Sequence, residues 1–245
     1  MSKLPEQMRL DRLLANMGYG SRRDIQQWVR AKSIILDGQV LQNAEQRVAV
    51  SPDLSQRMLV LGKPLDPPPG IILMLHKPLG VTCSHKEIGP LVYDLLPDRW
   101  RARKPAISTV GRLDKDTSGL LLMTDDGALL HRLISPRSHS PKQYCATLAR
   151  PLRGDEAQIF ASGALVLESE EKPLLPALLE VLTADRVRVT LTEGRYHQVR
   201  RMFAALGNHV LTLHRDKICS LELPPDLTAG SYRLLTSTDL AELGA

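Results

Sequence analysis

A polar loop enclosed by two glycines and two apolar runs most strongly constrains how this 245-residue chain can fold. Residues 106–110 form a β-like run and residues 120–123 an apolar one, and Gly111 and Gly119 bracket the polar residues between them. Glycine is used where a backbone turns sharply or where a ligand must come close. The pattern therefore predicts two buried strands joined by a loop that exposes the carboxylate of Asp114 on a rigid scaffold.

From residue 71 onward, segments of strand and helix length follow one another without strict alternation. The predicted strands are 71–75, 106–110, 120–123, 143–148, 177–181 and 186–192, and the predicted helices are 128–134, 155–161 and 197–206. A doubly wound parallel sheet is disfavoured, because that fold requires strands and helices to alternate. We predict an α+β fold in which a mostly antiparallel mixed sheet carries helices on its outside.

The first sixty residues read as a separate small α/β unit. Apolar residues recur at helical spacing from Leu10 to Met17, and Ser21 with Asp24 predicts the capped start of a second helix. Asp37-Gly38 predicts a hairpin turn between two short strands. Prolines 64 and 67–69 with Gly70 are typical of a linker. We predict domains at 1–60 and 71–245, joined by a proline-rich linker at 61–70.

The charge of the chain favours an acidic partner. The net charge is +5 and the isoelectric point about 9.2, and cationic residues cluster near positions 22–32, 99–104 and 195–201. Three such clusters in a small chain indicate binding to a polyanion such as nucleic acid. Net charge alone does not identify the partner, since many proteins are this basic.

The cysteine content and the hydropathy of the chain further limit the class of protein to which it can belong. Three cysteines at distant spacings argue against a disulfide framework and against a Cys-x-x-Cys metal site. No apolar run approaches the ~20 residues of a membrane span, and the first seven residues lack a signal-peptide core. We find no phosphate-binding loop and no dinucleotide fingerprint. We therefore expect a cytoplasmic protein without membrane contact, metal or cofactor.

Four segments in sequence order resemble the motifs of the pseudouridine synthases. These are His76-Lys77-Pro78-Leu79-Gly80, where the family usually has Asn in place of His76, then residues 111–122, Lys142-Gln143-Tyr144, and residues 193–202 with His197-Gln198-Val199-Arg200. Residues 123–127, 134–137 and 203–210 are similar to RsuA-type synthases, which act on small-subunit ribosomal RNA. Residues 8–50 resemble a small RNA-binding domain shared by a ribosomal protein and RNA-modifying enzymes. The resemblance implies formation of pseudouridine at position 516 of bacterial 16S rRNA.

The resemblance also implies roles for individual residues. Asp114 would be the catalytic carboxylate, Tyr144 would offer a flat face to the uracil, and Arg200 would pair with Asp114. An adjacent cation lowers the pKa of a carboxyl group by ~1–3 units and so keeps it ionised. A covalent adduct and removal of a sugar proton remain open as roles for the carboxylate. The predicted RNA-binding residues are Arg9, Arg12, Arg22, Arg23, Arg30, Lys32, Lys77, Arg112, Lys142, Arg195, His197, Gln198 and Arg201.

Three other functions compete with this interpretation. The chain could modify 23S rRNA, or it could be a non-catalytic RNA-binding factor in ribosome assembly. A glycosidase would require a second carboxylate as general acid, for which Asp116 is the candidate. The expected partner is 16S rRNA, either free or within an assembling small subunit, and we expect a monomer.

Overall fold

The computed structural model describes residues 7–85, 87–135 and 139–244. Within the predicted motifs, Pro136 and Arg137 lie outside the described residues. The chain divides into two compact units. The first contains residues 1–73, 93–110 and 123–131, and the second contains residues 74–92, 111–122 and 132–245. The division between the units falls within two strands, β7 (Ile72–Lys77) and β9 (Thr117–Thr124), and within one helix, α5 (Gly127–Ile134).

The first unit begins with short elements that form two small antiparallel sheets. They are β1 (Gln7–Arg9), α1 (Leu10–Asn16), α2 (Arg22–Arg30), β2 (Ile34–Leu36), β3 (Gln39–Val40), β4 (Arg47–Ala49), α3 (Leu54–Arg57), β5 (Met58–Val60) and β6 (Lys63–Pro64). β1 pairs with β4, and the other strands pair in the order β3-β2-β5-β6. The predicted two helices and hairpin are confirmed.

The local sequence explains these elements. The Ser21 hydroxyl accepts from the Asp24 amide, and the Asp24 carboxylate accepts from the Ser21 amide, so α2 starts with a reciprocal capping box. Leu10, Leu13 and Ile25 have no exposed surface and form the core between α1 and α2. Burial of this apolar stripe holds two helices that are too short to be stable alone.

The other segments of the first unit, residues 93–110 and 123–131, contain most of a 3₁₀ turn (Val92–Leu95), α4 (Asp98–Arg101) and β8 (Ser108–Thr109). In this part of the first unit, the Arg103 guanidinium pairs with the Asp125 carboxylate at 3.2 Å, and both side chains are buried. Asp125 also accepts from the Gly70 amide, and Arg103 donates to the Pro67 carbonyl. The segment predicted as a linker is thus anchored by hydrogen bonds, and the predicted domain boundary stays a prediction.

The larger sheet has nine strands, and helices follow several of these strands along the chain. The remaining elements are β7 (Ile72–Lys77), β9 (Thr117–Thr124), α5 (Gly127–Ile134), β10 (Lys142–Leu148), α6 (Glu156–Ser162), β11 (Leu178–Val181), β12 (Arg186–Leu191), α7 (Gln198–Ala205), β13 (Val210–Ile218), β14 (Leu221–Glu222), β15 (Tyr232–Leu234) and α8 (Ser237–Glu242). The strand order is β11-β12-β10-β13-β9-β7-β15, with β14 on β13 and β8 on β9.

Strand pairing in this sheet is mostly antiparallel. β10 pairs antiparallel with both β12 and β13, whereas β13 runs parallel to β9. Phe160 of α6 and Phe203 of α7 pack edge to face in the core beneath β10 and β12, with ring centroids 5.2 Å apart. The predicted α+β class with a mostly antiparallel sheet is confirmed.

Most predicted elements are present with shifted ends. The strand expected at 106–110 is reduced to Ser108–Thr109. The helix expected from residue 197 begins one residue later, because His197 has a left-handed backbone with φ +49°. Strand β13 was not predicted, since its polar run 214–217 hides the alternation of buried residues. In the described part of the chain, no helix is long and apolar enough to cross a bilayer.

The carboxylate of Asp239 caps α8 and accepts two hydrogen bonds from Arg233 and one from the Thr236 amide. The Arg233 hydrogen bonds hold the pKa of Asp239 well below its usual range. Because the pKa is lower in the folded state, this stabilisation is present at neutral pH and is lost as the pH falls below about 4.

We therefore expect Asp239→Asn to lower the free energy of unfolding at pH 7 by about 2 kcal/mol, and the difference from wild type to shrink as the solution is acidified. Urea titrations at several pH values measure this. Glu222→Gln, which removes an exposed carboxylate paired with Lys217, is the control and should leave stability unchanged. A deficit of Asp239→Asn that is equal at pH 7 and pH 3 would contradict the assignment.

Candidate active site

Two cationic side chains hold the backbone of the loop that carries Asp114. Lys77 Nζ donates to the carbonyl oxygens of Thr117 at 2.8 Å and Lys115 at 3.4 Å. Arg200 Nη2 donates to the carbonyl of the intervening residue, Asp116, at 2.8 Å. Three consecutive carbonyls are thus bound by side chains from β7 and α7, which sets the conformation of the loop.

Lys77 therefore has a structural role in the loop, in contrast to the RNA contact predicted for it from the sequence. The residue has no exposed surface, and Nζ also donates to the Pro78 carbonyl at 3.0 Å. Burial lowers the pKa of the Lys77 ammonium, and nearby Cys83, Asp114 and Asp116 oppose that shift. An ammonium with all three protons directed at carbonyls inside the protein has none left for a phosphate.

Two strands approach each other so closely at the second glycine of the loop, Gly119, that no side chain fits there. Gly119 of β9 has φ +113°, and a Cβ there would lie 2.1 Å from the Arg215 carbonyl of the parallel strand β13. A side chain would force the two strands apart. Gly111 has φ +72° with open space around it, so its role is conformational.

Asp114 lies in a cleft of about 250 Å³ within the second unit. The cleft is lined by Thr82, Cys83, Glu87, Arg112, Leu113, Asp114, Lys115, Tyr196 and His197. Asp114 Oδ1 is 3.3 Å from His197 Nε2, and about a third of each side chain is exposed. The left-handed backbone of His197 directs its ring toward this carboxylate. The Tyr196 ring stacks on His197 with centroids 3.9 Å apart and is itself exposed.

The structure does not form the predicted pair between Arg200 and Asp114. Arg200 donates to the carbonyls of Asp116 and Val210, and the side chain that lies 3.3 Å from the Asp114 carboxylate is that of His197. The reason is geometric: Arg200 lies one turn into α7 and contacts the backbone of the loop, whereas His197 precedes the helix. Arg200 thus supports the loop that carries the carboxylate.

Tyr144 of β10 lies beside a buried arginine. Its hydroxyl oxygen is 3.4 Å from Arg215 Nη1, and the Arg215 guanidinium carbon is 5.8 Å from the centre of its ring. Tyr144 is half-buried and packs against the sheet core, outside the residues that line the cleft. The sequence motifs do not include Arg215, because it lies in the strand that periodicity missed.

Two predicted RNA-binding arginines of the fourth motif are bound internally. Arg195 pairs with Glu170 and Glu193, and Arg201 pairs with Glu170 at 2.9 Å. The buried Gln198 joins the same network, accepting from the Arg195 amide and donating to Glu193. These interactions give the motif a structural function at the start of α7, contrary to the expectation that its polar groups face a phosphate.

The other predicted phosphate contacts differ in exposure. Arg112 is exposed at the cleft. Lys142 is half-buried, its Nζ donates to the Ser140 carbonyl, and burial together with the charge of Arg215 lowers the pKa of its ammonium. Arg9 is paired with Asp11 and Glu45, and the hydrogen bond from Arg9 holds the pKa of Asp11 below its ordinary value.

A group of cations on α1 and α2 of the first unit remains exposed. In the described part of the chain, none of them lies within ion-pair distance of a carboxylate; they are Arg12, Arg22, Arg23, Arg30 and Lys32. This unpaired positive surface can contact phosphate groups without first breaking an internal bond. Among the described residues, no three or more His, Cys, Asp or Glu side chains are grouped as a metal site would require.

Two family models match this chain. One, described as RNA pseudouridylate synthase, matches residues 71–205, and the other, described as S4 domain, matches residues 8–51. A crystal structure of a pseudouridylate synthase is similar to the whole chain, with a TM-score of 0.67 and 36% identity, and covers 96% of this chain and 99% of that structure.

Curated relatives match over almost the full length. Ribosomal small subunit pseudouridine synthase A of Yersinia pestis is 43% identical over 97% of this chain and 99% of its own length. The protein of that name from Escherichia coli (strain K12) is 41% identical over 96% and 100%. An RNA pseudouridine synthase of Bacillus subtilis, described as uncharacterized, is 40% identical over 95% and 97%.

The hydrogen bonds of Lys77 generate a prediction about stability. Lys77→Met removes one hydrogen-bond donor from each of the Pro78, Lys115 and Thr117 carbonyls, of which Lys115 keeps the Gly80 amide, so we expect the Tm to fall by roughly 5–10 °C. Lys115→Met removes an exposed lysine of the same loop and is the matched control, with an unchanged Tm. Thermal unfolding by circular dichroism measures both variants. Equal Tm values for Lys77→Met and wild type would show that Lys77 does not support the loop.

Proposed function

The chain belongs to the RNA pseudouridylate synthase family, and on that premise we propose that it converts a uridine of small-subunit ribosomal RNA to pseudouridine. Full-length similarity to small-subunit synthases supports this choice of substrate. The finer proposal is that the target is position 516 of 16S rRNA. We further propose that the protein acts in the cytoplasm as a monomer, on free RNA or an assembling subunit.

The proposed reaction is an isomerisation. The bond between ribose C1′ and uracil N1 breaks, the base turns, and a bond forms between C1′ and C5. A proton leaves C5 and N1 gains one, so the atoms balance without an oxidant or an energy source. The step requires a carboxylate beside the ribose, which acts as nucleophile or base.

We assign that carboxylate to Asp114, and its position in the cleft is the observation that carries the proposal. The side chain is partly exposed in a cleft large enough for a base. Hydrogen bonds from Lys77 and Arg200 to backbone carbonyls of the loop hold the loop in place. A rigid loop places the reacting oxygen before the substrate arrives, which reduces the entropic cost of reaction. The His197 ring at 3.3 Å orients the carboxylate.

RNA binding is proposed for the exposed cations of the first unit and for Arg112 at the cleft. The uridine must leave its stack to reach Asp114, which costs a few kcal/mol. Phosphate contacts, together with base stacking on the exposed Tyr196 ring, offset that cost.

The alternatives differ in what they require. Modification of 23S rRNA would use the same site, so only mapping of the modified nucleotide separates the two. A non-catalytic assembly factor would have no use for a carboxylate held in a cleft. A glycosidase would need a second carboxylate facing the same sugar. The candidate Asp116 does not line the cleft, although Glu87 does, so it is the family match that favours the synthase over a glycosidase.

We expect Asp114→Asn to reduce pseudouridine formation by at least about 10³-fold while RNA affinity stays within a few-fold of wild type, because the change preserves size and removes only the charge. Release of tritium from carbon 5 of uridine in a 16S transcript measures turnover. Asp116→Asn is the matched control from the same loop and should retain activity. Substantial turnover by Asp114→Asn would overturn the assignment.

We expect the double variant Arg22→Gln/Arg23→Gln to bind 16S transcripts more weakly and with a shallower salt dependence. The slope of log affinity against log salt should fall by about one for each lost phosphate contact. Arg57→Gln is the control, since Arg57 lies in the same unit but is paired with Asp37 and Asp53. An unchanged salt slope would place the phosphate-binding surface elsewhere.

A further inference from the structure

Arg215 is a buried arginine without a compensating anion. The residue is 2% exposed, Nε donates to the Leu120 carbonyl at 2.9 Å, and Nη2 is buried with no hydrogen-bond partner. Among the described residues, no carboxylate lies within ion-pair distance of its guanidinium. A guanidinium cannot lose its proton to avoid burial of the charge, so this arrangement is costly in the isolated protein.

A second buried arginine shows how this chain compensates such a charge elsewhere. Arg103 is as deeply buried as Arg215, but its guanidinium is paired with the Asp125 carboxylate at 3.2 Å. The contrast indicates that the charge of Arg215 is kept for a purpose other than stability. An uncompensated cation of this kind is typical of a site where negative charge develops during a reaction.

The surroundings of Arg215 identify where that charge would develop. Nη1 lies 3.4 Å from the Tyr144 hydroxyl oxygen, and Tyr144 is the residue that the family resemblance implies faces the uracil. Burial raises the pKa of the Cys83 thiol, which lines the cleft with Asp114, and the positive charge of Arg215 opposes that shift. When the bond from C1′ to N1 breaks, its electron pair stays on the base, so negative charge is shared with the carbonyl oxygens of the uracil.

We infer that Arg215 is a positioning residue that acts through Tyr144, an inference that rests on the proposed function. The guanidinium donates to the hydroxyl oxygen of Tyr144, so the proton of that hydroxyl is available to a carbonyl oxygen of the departing uracil. No described residue accepts a hydrogen bond from this hydroxyl in the isolated protein. The cation strengthens the hydroxyl as a donor at the moment when the base becomes negative, and the long bond of the free protein shortens in the complex.

The test is a double-mutant cycle on single-turnover tritium release from 16S transcript, with Arg215→Met, Tyr144→Phe and the double variant. We expect each single variant to slow the chemical step by roughly 10²-fold. The enzyme concentration that gives half-maximal rate should change by less than about threefold, since RNA binding is not affected. The double variant should be no slower than the slower single variant, because both changes remove one interaction. Arg215→Lys, which retains the charge, should recover part of the rate.

Thermal unfolding separates this role from a structural one. Arg215→Met should have a Tm equal to or above that of wild type, because a buried unpaired charge is replaced by an apolar chain of similar length. Arg103→Met is the matched control and should lower the Tm, because it leaves the Asp125 carboxylate buried and unpaired.

The outcomes that overturn the inference are distinct from failure of the proposed function. Any of three results would show that Arg215 does not act through Tyr144. The effects of the two single variants could multiply in the double variant, Arg215→Met could leave the rate unchanged, or the Arg215→Met protein could unfold. If wild-type protein releases no tritium from the transcript, the proposed function itself fails.

Discussion

The site depends on hydrogen bonds from Lys77 and Arg200 to the backbone carbonyls of residues 115–117. These are charge-assisted bonds donated, in the case of Lys77, by a side chain with no exposed surface, so they are stronger and less easily exchanged than surface contacts. They come from β7 and α7, which lie far from the loop in sequence. The loop can therefore present an ionised carboxylate to solvent while its backbone stays in one conformation.

Arg215 and Lys77 are both buried cations, but their surroundings assign them different functions. Lys77 directs every proton at a carbonyl, so its burial is compensated by bonds inside the protein. Arg215 has one short bond, one long bond to Tyr144 and one unpaired nitrogen. The hydrogen bonds of Lys77 compensate the burial of its charge, whereas those of Arg215 compensate it only in part.

Counting cations in the sequence overestimates the surface available to RNA. Arg195 and Arg201 belong to the most basic motif of the chain, yet Glu170 pairs with both of them. The arginines of α1 and α2 look no different in sequence but remain unpaired. Glu170 lies some twenty-five residues before Arg195, so no local pattern could indicate that it neutralises the motif. Only the packing of the segment around residue 170 against α7 shows it.

The sequence by itself determined what depends on neighbours in the chain. Helix periodicity, the Ser21 cap, the Asp37-Gly38 turn and the glycine-bracketed loop are local signals, and they predicted the α+β class and the exposed position of Asp114. Tertiary structure alone decided the partners of each charge. His197 lies beside Asp114, Arg200 binds the carbonyl 84 residues away, and Arg215 reaches a carbonyl 95 residues away. Such partners are brought together by sheet order, in which β13 lies between β10 and β9. Because residues 214–217 of β13 are polar, the hydrophobic pattern did not predict this strand and did not point to Arg215 beside Tyr144.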